Sequence, residues 1–211
     1  MLVKDIMKKA VHTLMSNHTI LDAIQLLELH HIRHIPIVNE QQHVIGIISD
    51  RDVRDARPSI FDENNNEILA TPIHKIMSTP VITAHANDFF EEVASIFYKK
   101  SFACVPVIKN NQLVGIVTEK DMLHTFIQLT GTDSPSTQIE IKVPDQIGVL
   151  SEVCHYFTKR NIKIVSVYNY PDPKDSSYNI LVFRIQTMNP MPVIEDFKDS
   201  EYQILYPYWE D

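Results

Sequence analysis

Glycine is scarce in this chain, with 4 among 211 residues. Gly46, Gly115, Gly131 and Gly148 lie too far apart to build a GxxxxGK phosphate loop or a GxGxxG dinucleotide turn, which excludes those modes of nucleotide binding. Cysteine is rarer still. Cys104 and Cys154 sit inside apolar segments, so neither a disulfide framework nor a multi-cysteine metal knuckle is expected. Positive charge is also short: 19 Lys and Arg face 27 Asp and Glu, a net charge of -8, and no basic run exceeds the pairs Lys8-Lys9 and Lys99-Lys100. Nucleic acid is repelled by such a chain at long range and is not expected as a partner. Apolar runs such as "HVIGIIS" and "NILVFRI" stop well short of the roughly 20 residues of a membrane-spanning helix. The start "MLVKDIMKKAVHT" lacks the apolar core of a secretory signal. The expectations are a soluble, cytoplasmic protein with no membrane partner.

What the chain does have is apolar material for a core, at 44% of residues, and an internal repeat. "VKDIMKKAVHT" (3–13) aligns with "IHKIMSTPVIT" (73–83), placing Met7 over Met77, Val11 over Val81 and Thr13 over Thr83. The apolar series Ile20, Ala23, Ile24 and Leu27 predicts one face of a helix, and the same register gives Phe90, Val93, Ala94 and Phe97. Asn17 or Thr19 and Asn87 or Asp88 are the candidate caps. Short β-branched runs follow, "HIPIV" (34–38) and "CVPVI" (104–108). Because proline cannot donate to a ladder, these strands are expected to be exposed at Pro36 and Pro106 or to start there. Each copy then reads as a lead strand, a helix, two adjacent strands and a closing helix. The polar, proline-bounded stretch 56–72 reads as a connecting excursion, and "TGTDSPST" (130–137) as a linker.

Beyond the linker the pattern changes. "QIEIKV" alternates, "PDQIGVL" leads into a helix whose Leu150, Val153, Cys154 and Phe157 share a side, and two strands, a short helix around Val193, Ile194 and Phe197, and a last strand follow. The order strand, helix, strand, strand, helix, strand is the ferredoxin-like arrangement, a sheet covered by helices on one face.

Two near copies carry the chemistry: "GIISDRD" (46–52) and "GIVTEKD" (115–121). Ser or Thr followed three residues later by an acid is the signature of a capping box, although Asp, shorter than Glu, is expected to reach back less well. The other reading uses the same geometry. A helix N-terminus and its hydroxyl offer donors to a phosphate, and a carboxylate on the first turn accepts from a ribose diol. Ile35, Pro36 and Ile37, or Val105, Pro106 and Val107, would supply an apolar slot for a base. Gly46 and Gly115 permit a close backbone approach. Catalysis finds no such support: "HHIRH" (30–34) lacks a nearby acid and its helix is expected to end before His34, Cys104 reads as a buried hydrophobe, and no nucleophile, base and orienter converge. Neither a catalytic residue, a metal site nor an enzyme is expected.

The block from about residue 3 to 127 resembles a tandem of CBS domains, whose pattern G-h-h-[ST]-x-x-D matches both Gly46 to Asp52 and Gly115 to Asp121. The resemblance implies two half-sites between the copies that take AMP, ADP, ATP or S-adenosylmethionine. Asp52 and Asp121 would hold ribose hydroxyls, and Ser49 and Thr118 phosphate. His34, Ile35 and Pro36, and Cys104, Val105 and Pro106, would face adenine, and Thr13 and Thr83 would line the same cleft. Arg51, with Arg54 and Arg57 nearby, outnumbers Lys120 at the second copy, so the first half-site is expected to prefer more phosphates. Residues 138–207 are similar to an ACT domain, with Asp145, Gln146, Gly148 and Leu150 in a turn that implies an amino-acid effector or a dimer contact; Asp145 could equally cap the helix, and Gly148 could let it pack against the sheet. Together the two matches resemble the acetoin-utilisation protein B family, which implies a link to acetoin and butanediol catabolism, a homodimer and a metabolic enzyme partner. The expected fold class is α/β (α+β), a tandem CBS pair plus a ferredoxin-like βαββαβ ACT domain. The expected divisions are 1–56 and 73–129 for the two CBS domains, 57–72 connecting them, a 130–137 linker and 138–211 for the ACT domain.

Overall fold

The computed structural model describes residues 1–57 and 65–207, so residues 58–64 of the expected connecting segment lie outside the described residues. Two compact units form, Met1–Leu123 and His124–Asp211. The first opens with α1 (Val3–Ile6), β1 (Leu14–Met15), α2 (Ile20–His30), β2 (His34–Val38), β3 (Val44–Ser49) and α3 (Asp50–Ala56). It continues with α4 (Asn65–Leu69), a 3-10 turn at Ile73–Lys75, β4 (Ala84–His85), α5 (Phe90–Lys100), β5 (Cys104–Lys109), β6 (Gln112–Thr118) and the start of α6 (Glu119–Thr130).

Each repeat makes a three-stranded sheet, β1-β2-β3 and β4-β5-β6, with the lead strand parallel to the middle one and the other two antiparallel. The expectation at the prolines is corrected. Pro36 and Pro106 are buried and lie two residues inside their strands. β1 pairs only with Ile37 and Val38, and β4 only with Val107 and Ile108. The parallel ladder therefore begins just after each proline, where the missing N–H removes no bond to the lead strand.

The helix starts also differ from expectation in one copy. Thr19 caps α2, its Oγ1 accepting from the Asp22 amide (3.2 Å) while Asp22 Oδ2 accepts from the Thr19 amide (2.8 Å). Neither Asn87 nor Asp88 caps α5. The cap residue is Phe89, whose N–H donates to Glu92 Oε2 (3.2 Å), and Asp88 instead accepts from the His85 amide (2.7 Å), closing the turn before the helix.

The lead segments change places. Leu2 bridges to Phe89 and Lys8 to Ile116, whereas Pro72 bridges to Thr19 and Ser78 to Ile47. The residues before each repeat thus pack on the other repeat: Val3 is fully buried in the core of Val93, Phe97, Val105, Val107 and Val117, and Ile73 in that of Ile20, Ile35, Ile37 and Ile48. This exchange explains the glycines. A Cβ on Gly46 would lie 2.3 Å from Met77 Sδ, and one on Gly115 2.5 Å from Met7 Sδ and 3.1 Å from the Lys8 carbonyl oxygen. Each strand is bare where the opposite lead crosses it. The hairpin turns also meet, the Leu113 N–H donating to the Gln42 carbonyl (3.0 Å).

The second unit takes the last part of α6, then β7 (Thr137–Pro144), α7 (Val149–Lys159), β8 (Ile164–Pro171), β9 (Tyr178–Ile185), α8 (Met191–Asp196) and β10 (Gln203–Tyr206). Its antiparallel sheet has the order β10-β7-β9-β8, the ferredoxin-like topology. Ile139, Ile141 and Val143 from β7 and Leu181, Phe183 and Ile185 from β9 meet α7 and α8 in one core. Leu150 does not join it: the buried stripe of α7 is Val149, Val153 and Phe157 at four-residue spacing, which turns the next residue, Leu150, outward at 47% exposure. Asp145 does not cap α7 either. Its Oδ1 accepts from Asn179 Nδ2 (2.7 Å), and the cap position belongs to Gly148, whose φ of 96° is a conformation side chains rarely adopt. A Cβ there would meet only Glu152 Oε1 at 4.0 Å, so backbone angle rather than close packing calls for glycine.

Candidate functional site

The repeated Ser/Thr-x-x-Asp segments sit where a strand hands over to a helix, β3 to α3 and β6 to α6. In both, the capping reading holds. Asp52 Oδ2 accepts from the Ser49 amide and hydroxyl (2.7 Å each), and the Asp52 amide donates to Ser49 Oγ (3.2 Å). Asp121 Oδ2 likewise accepts from the Thr118 amide (2.9 Å) and hydroxyl (2.6 Å), with the return bond at 3.4 Å. Aspartate reaches back at least as well as glutamate does, contrary to expectation: its bonds to the cap amides are 2.7 and 2.9 Å, against 3.2 Å from the Phe89 amide to Glu92.

Capping occupies one oxygen, however, and a carboxylate has two. Asp52 Oδ1 has no partner among the described residues. Asp121 Oδ1 faces Lys8 Nζ at 3.2 Å. Sequence reasoning missed Lys8 altogether, since the repeat aligns it with Ser78 but is silent on which copy each lead visits.

Strand alternation sorts the remaining candidates. His34 stands opposite Ser49, and Cys104 opposite Thr118, so each pair shares the sheet face that carries its aspartate. Pro36 and Pro106 share that face by period two. Ile35 and Val105 point the other way into the two cores at 0% exposure, and are removed as side-chain contacts. Thr13 and Thr83, half-buried, immediately precede the lead strands. Arg51 and Lys120 are exposed on the first turns of their helices. The arginine cluster is largely spoken for: Arg54 pairs with Asp50 (3.2 Å) and Arg57 with Glu28 (2.8 Å). In the second unit Gln146 and Ile147 are exposed beside Gly148.

The two half-sites differ electrically. Burial lowers the pKa of His34 and keeps it neutral, against the opposing pull of Asp50, Asp52 and Glu119. Cys104 is pushed up to about 12 by burial and by Asp121, so it is a thiol at neutral pH and a poor nucleophile. Among the described residues, no group of three or more His, Cys, Asp or Glu side chains gathers that could hold a metal ion, and no helix is long and apolar enough to cross a membrane.

Residues 3–59 and 73–127 match the CBS domain family. The chain belongs to the CBS-domain family. Its CBS pair is 36% identical over 126 residues to an L-aspartate semialdehyde sulfurtransferase of Methanocaldococcus jannaschii, covering 59% of this chain and 23% of that protein. The chain thus spans about a quarter of the length of the first curated relatives it matches. Among solved structures, one described as an acetoin utilization protein (AcuB) from Vibrio cholerae is similar at 33% identity with a TM-score of 0.55, covering 65% of this chain and 98% of that one. The CBS domain pair of protein MJ0100, in complex with 5′-methylthioadenosine and S-adenosyl-L-methionine, is similar at 36% identity and a TM-score of 0.52, covering 60% of this chain and 95% of that one.

Proposed function

We propose that this chain is a non-catalytic regulatory protein whose CBS pair senses an adenine nucleotide or S-adenosylmethionine. The carrying observation is that Asp52 completes its helix cap with Oδ2 alone, leaving Oδ1 for a ribose hydroxyl beside His34 and Ser49. The chain supplies its own comparison. At the other pair of capped helices the two repeats diverge, Thr19 with Asp22 against Phe89 with Glu92. Capping alone therefore tolerates either acid, and the repetition of Asp at 52 and 121 asks for a second role. The adenosyl ligands held by the similar MJ0100 pair have the diol and base that this arrangement suits. The ferredoxin-like unit, similar to an ACT domain, would join two copies or take an amino acid at the Asp145 to Leu150 turn. Its edge strand β8 exposes Val167, Tyr168 and Tyr170, which favours a homodimer. The likeness to AcuB supports a role in acetoin and butanediol catabolism, through a metabolic enzyme partner.

The capping boxes also favour a second reading, a scaffold that dimerises and binds its enzyme partner without nucleotide. Thermal melting of the full chain with AMP, ADP, ATP and S-adenosylmethionine separates the two. A ligand at 100 times its Kd adds about 2.7 kcal/mol of stability and raises Tm measurably. A melting point unmoved by every ligand favours the scaffold.

A further inference from the structure

The exchange of leads delivers equivalent backbone to the two half-sites but different side chains. Lys8 and Ile116 trade backbone hydrogen bonds at 2.9 and 3.0 Å, and Ser78 and Ile47 do the same at 2.8 and 3.2 Å. The chain thus contains a matched pair in which position and pairing agree and only lysine against serine differs. At the second half-site the difference falls on the aspartate itself: Lys8 Nζ lies 3.2 Å from Asp121 Oδ1, while Oδ2 is held in the cap. At the first, Ser78 is exposed and makes no described bond to Asp52.

We infer that Lys8 sets the ligand preference of the Asp121 half-site, restricting it to nucleotides that carry phosphate while the Asp52 half-site accepts an uncharged nucleoside. This rests on the nucleotide-sensing reading above. A ribose diol donates to a carboxylate, and Asp52 accepts it without giving anything up. Asp121 must first release an ammonium ion, and a diol offers that ammonium no anion in return. A phosphate does. Lys8 is 58% exposed on a flexible stem, so it swings from Asp121 to an entering phosphate, and the freed oxygen turns to the sugar. The preference runs opposite to a count of nearby arginines, because Arg54 and Arg57 already serve Asp50 and Glu28.

Isothermal titration of the full chain with adenosine and with AMP tests this, with Asp52→Asn and Asp121→Asn used to attribute each binding event to its half-site. In the wild-type protein adenosine fills the Asp52 half-site and AMP fills both. Lys8→Ser raises adenosine affinity at the Asp121 half-site about fivefold, the upper range for an exposed ion pair, and weakens AMP there. Ser78→Lys does the reverse at the Asp52 half-site, so the result does not depend on one variant. If the AMP-to-adenosine preference of each half-site is the same in all three proteins, the assignment of Lys8 is overturned and nucleotide sensing stands. If wild-type protein binds neither adenosine nor AMP, this inference is overturned, and the sensing reading falls with it when the melting point is also unmoved by ADP, ATP and S-adenosylmethionine.

Discussion

His34 shows how one side chain ties the site to the stability of the fold. It is half-buried opposite Ser49, and Asp50, Asp52 and Glu119 act on it while Arg33 opposes them. Burial outweighs the three acids, so the folded protein binds the imidazole proton less readily than the unfolded chain, whose histidine titrates near 6.5. In the window below that value the unfolded state holds more protons, so stability decreases as pH is lowered. The contribution is complete above pH 6.5 and is lost as pH drops through the lower folded value. Melting curves between about pH 7.5 and 5 should show Tm of the wild type declining more steeply than that of His34→Gln. Parallel profiles would mean that His34 is equally easy to protonate in both states. The resemblance to CBS domains marked His34 as a cleft residue together with Ile35 and Val105, but Ile35 and Val105 proved to be core. Alternation along the strand decides between them, and a run apolar on both faces hides which face is which.

At the level of elements, the strand-to-helix handover of β3 to α3 and β6 to α6 was legible because its signals are local: a β-branched run, a hydroxyl, an acid three residues on. The reason for the glycine inside each strand was not. Gly115 makes room for Met7 and the Lys8 carbonyl, which are more than 100 residues away in sequence and arrive by tertiary packing. Adding a methyl group there should cost about 1–3 kcal/mol, as overpacking does elsewhere. Gly46→Ala should cost less, since a Cβ at that position meets only the Met77 side chain, whose thioether can rotate away. Chemical denaturation of both variants checks the order, and equal small losses would show that the leads yield easily. The caps of α2 and α5 teach a related lesson. Thr19 was a good cap from sequence, but Phe89 is a cap position with no hydroxyl, and the chain before it closes on Asp88 instead.

For the whole molecule, the repeat in sequence and the packing units in space are out of step. Copies were legible from a register that holds over two helices and four strands, yet nothing in that register says that each lead packs on the other copy. Removing residues 1–9 should therefore damage the second repeat and spare the first. Val3 alone is a fully buried side chain, worth about 1.5–3 kcal/mol, in the core formed with Val93, Phe97 and Val117. Hydrogen exchange should lose protection across α5 and β6 in the truncated protein, and loss confined to β2 and β3 would contradict the exchange of leads. The same crossing ties the two repeats of the CBS pair together, with Lys8 and Ser78 as equivalent positions at which the crossing leads differ. The boundary with the second unit was less legible: it falls inside α6, which runs to Thr130 at the first residue of the polar break, and the Thr130 carbonyl accepts from Ser166 Oγ (2.6 Å).

The central claim is that Asp52 serves its helix with one oxygen and a ribose with the other. Calorimetric titration of AMP into the full chain, wild type against Asp52→Asn, tests it most directly. A charged acceptor contributes about 1.5–3 kcal/mol, so the variant should bind at the first half-site at least about tenfold more weakly while remaining folded. An unchanged affinity in Asp52→Asn would contradict the account.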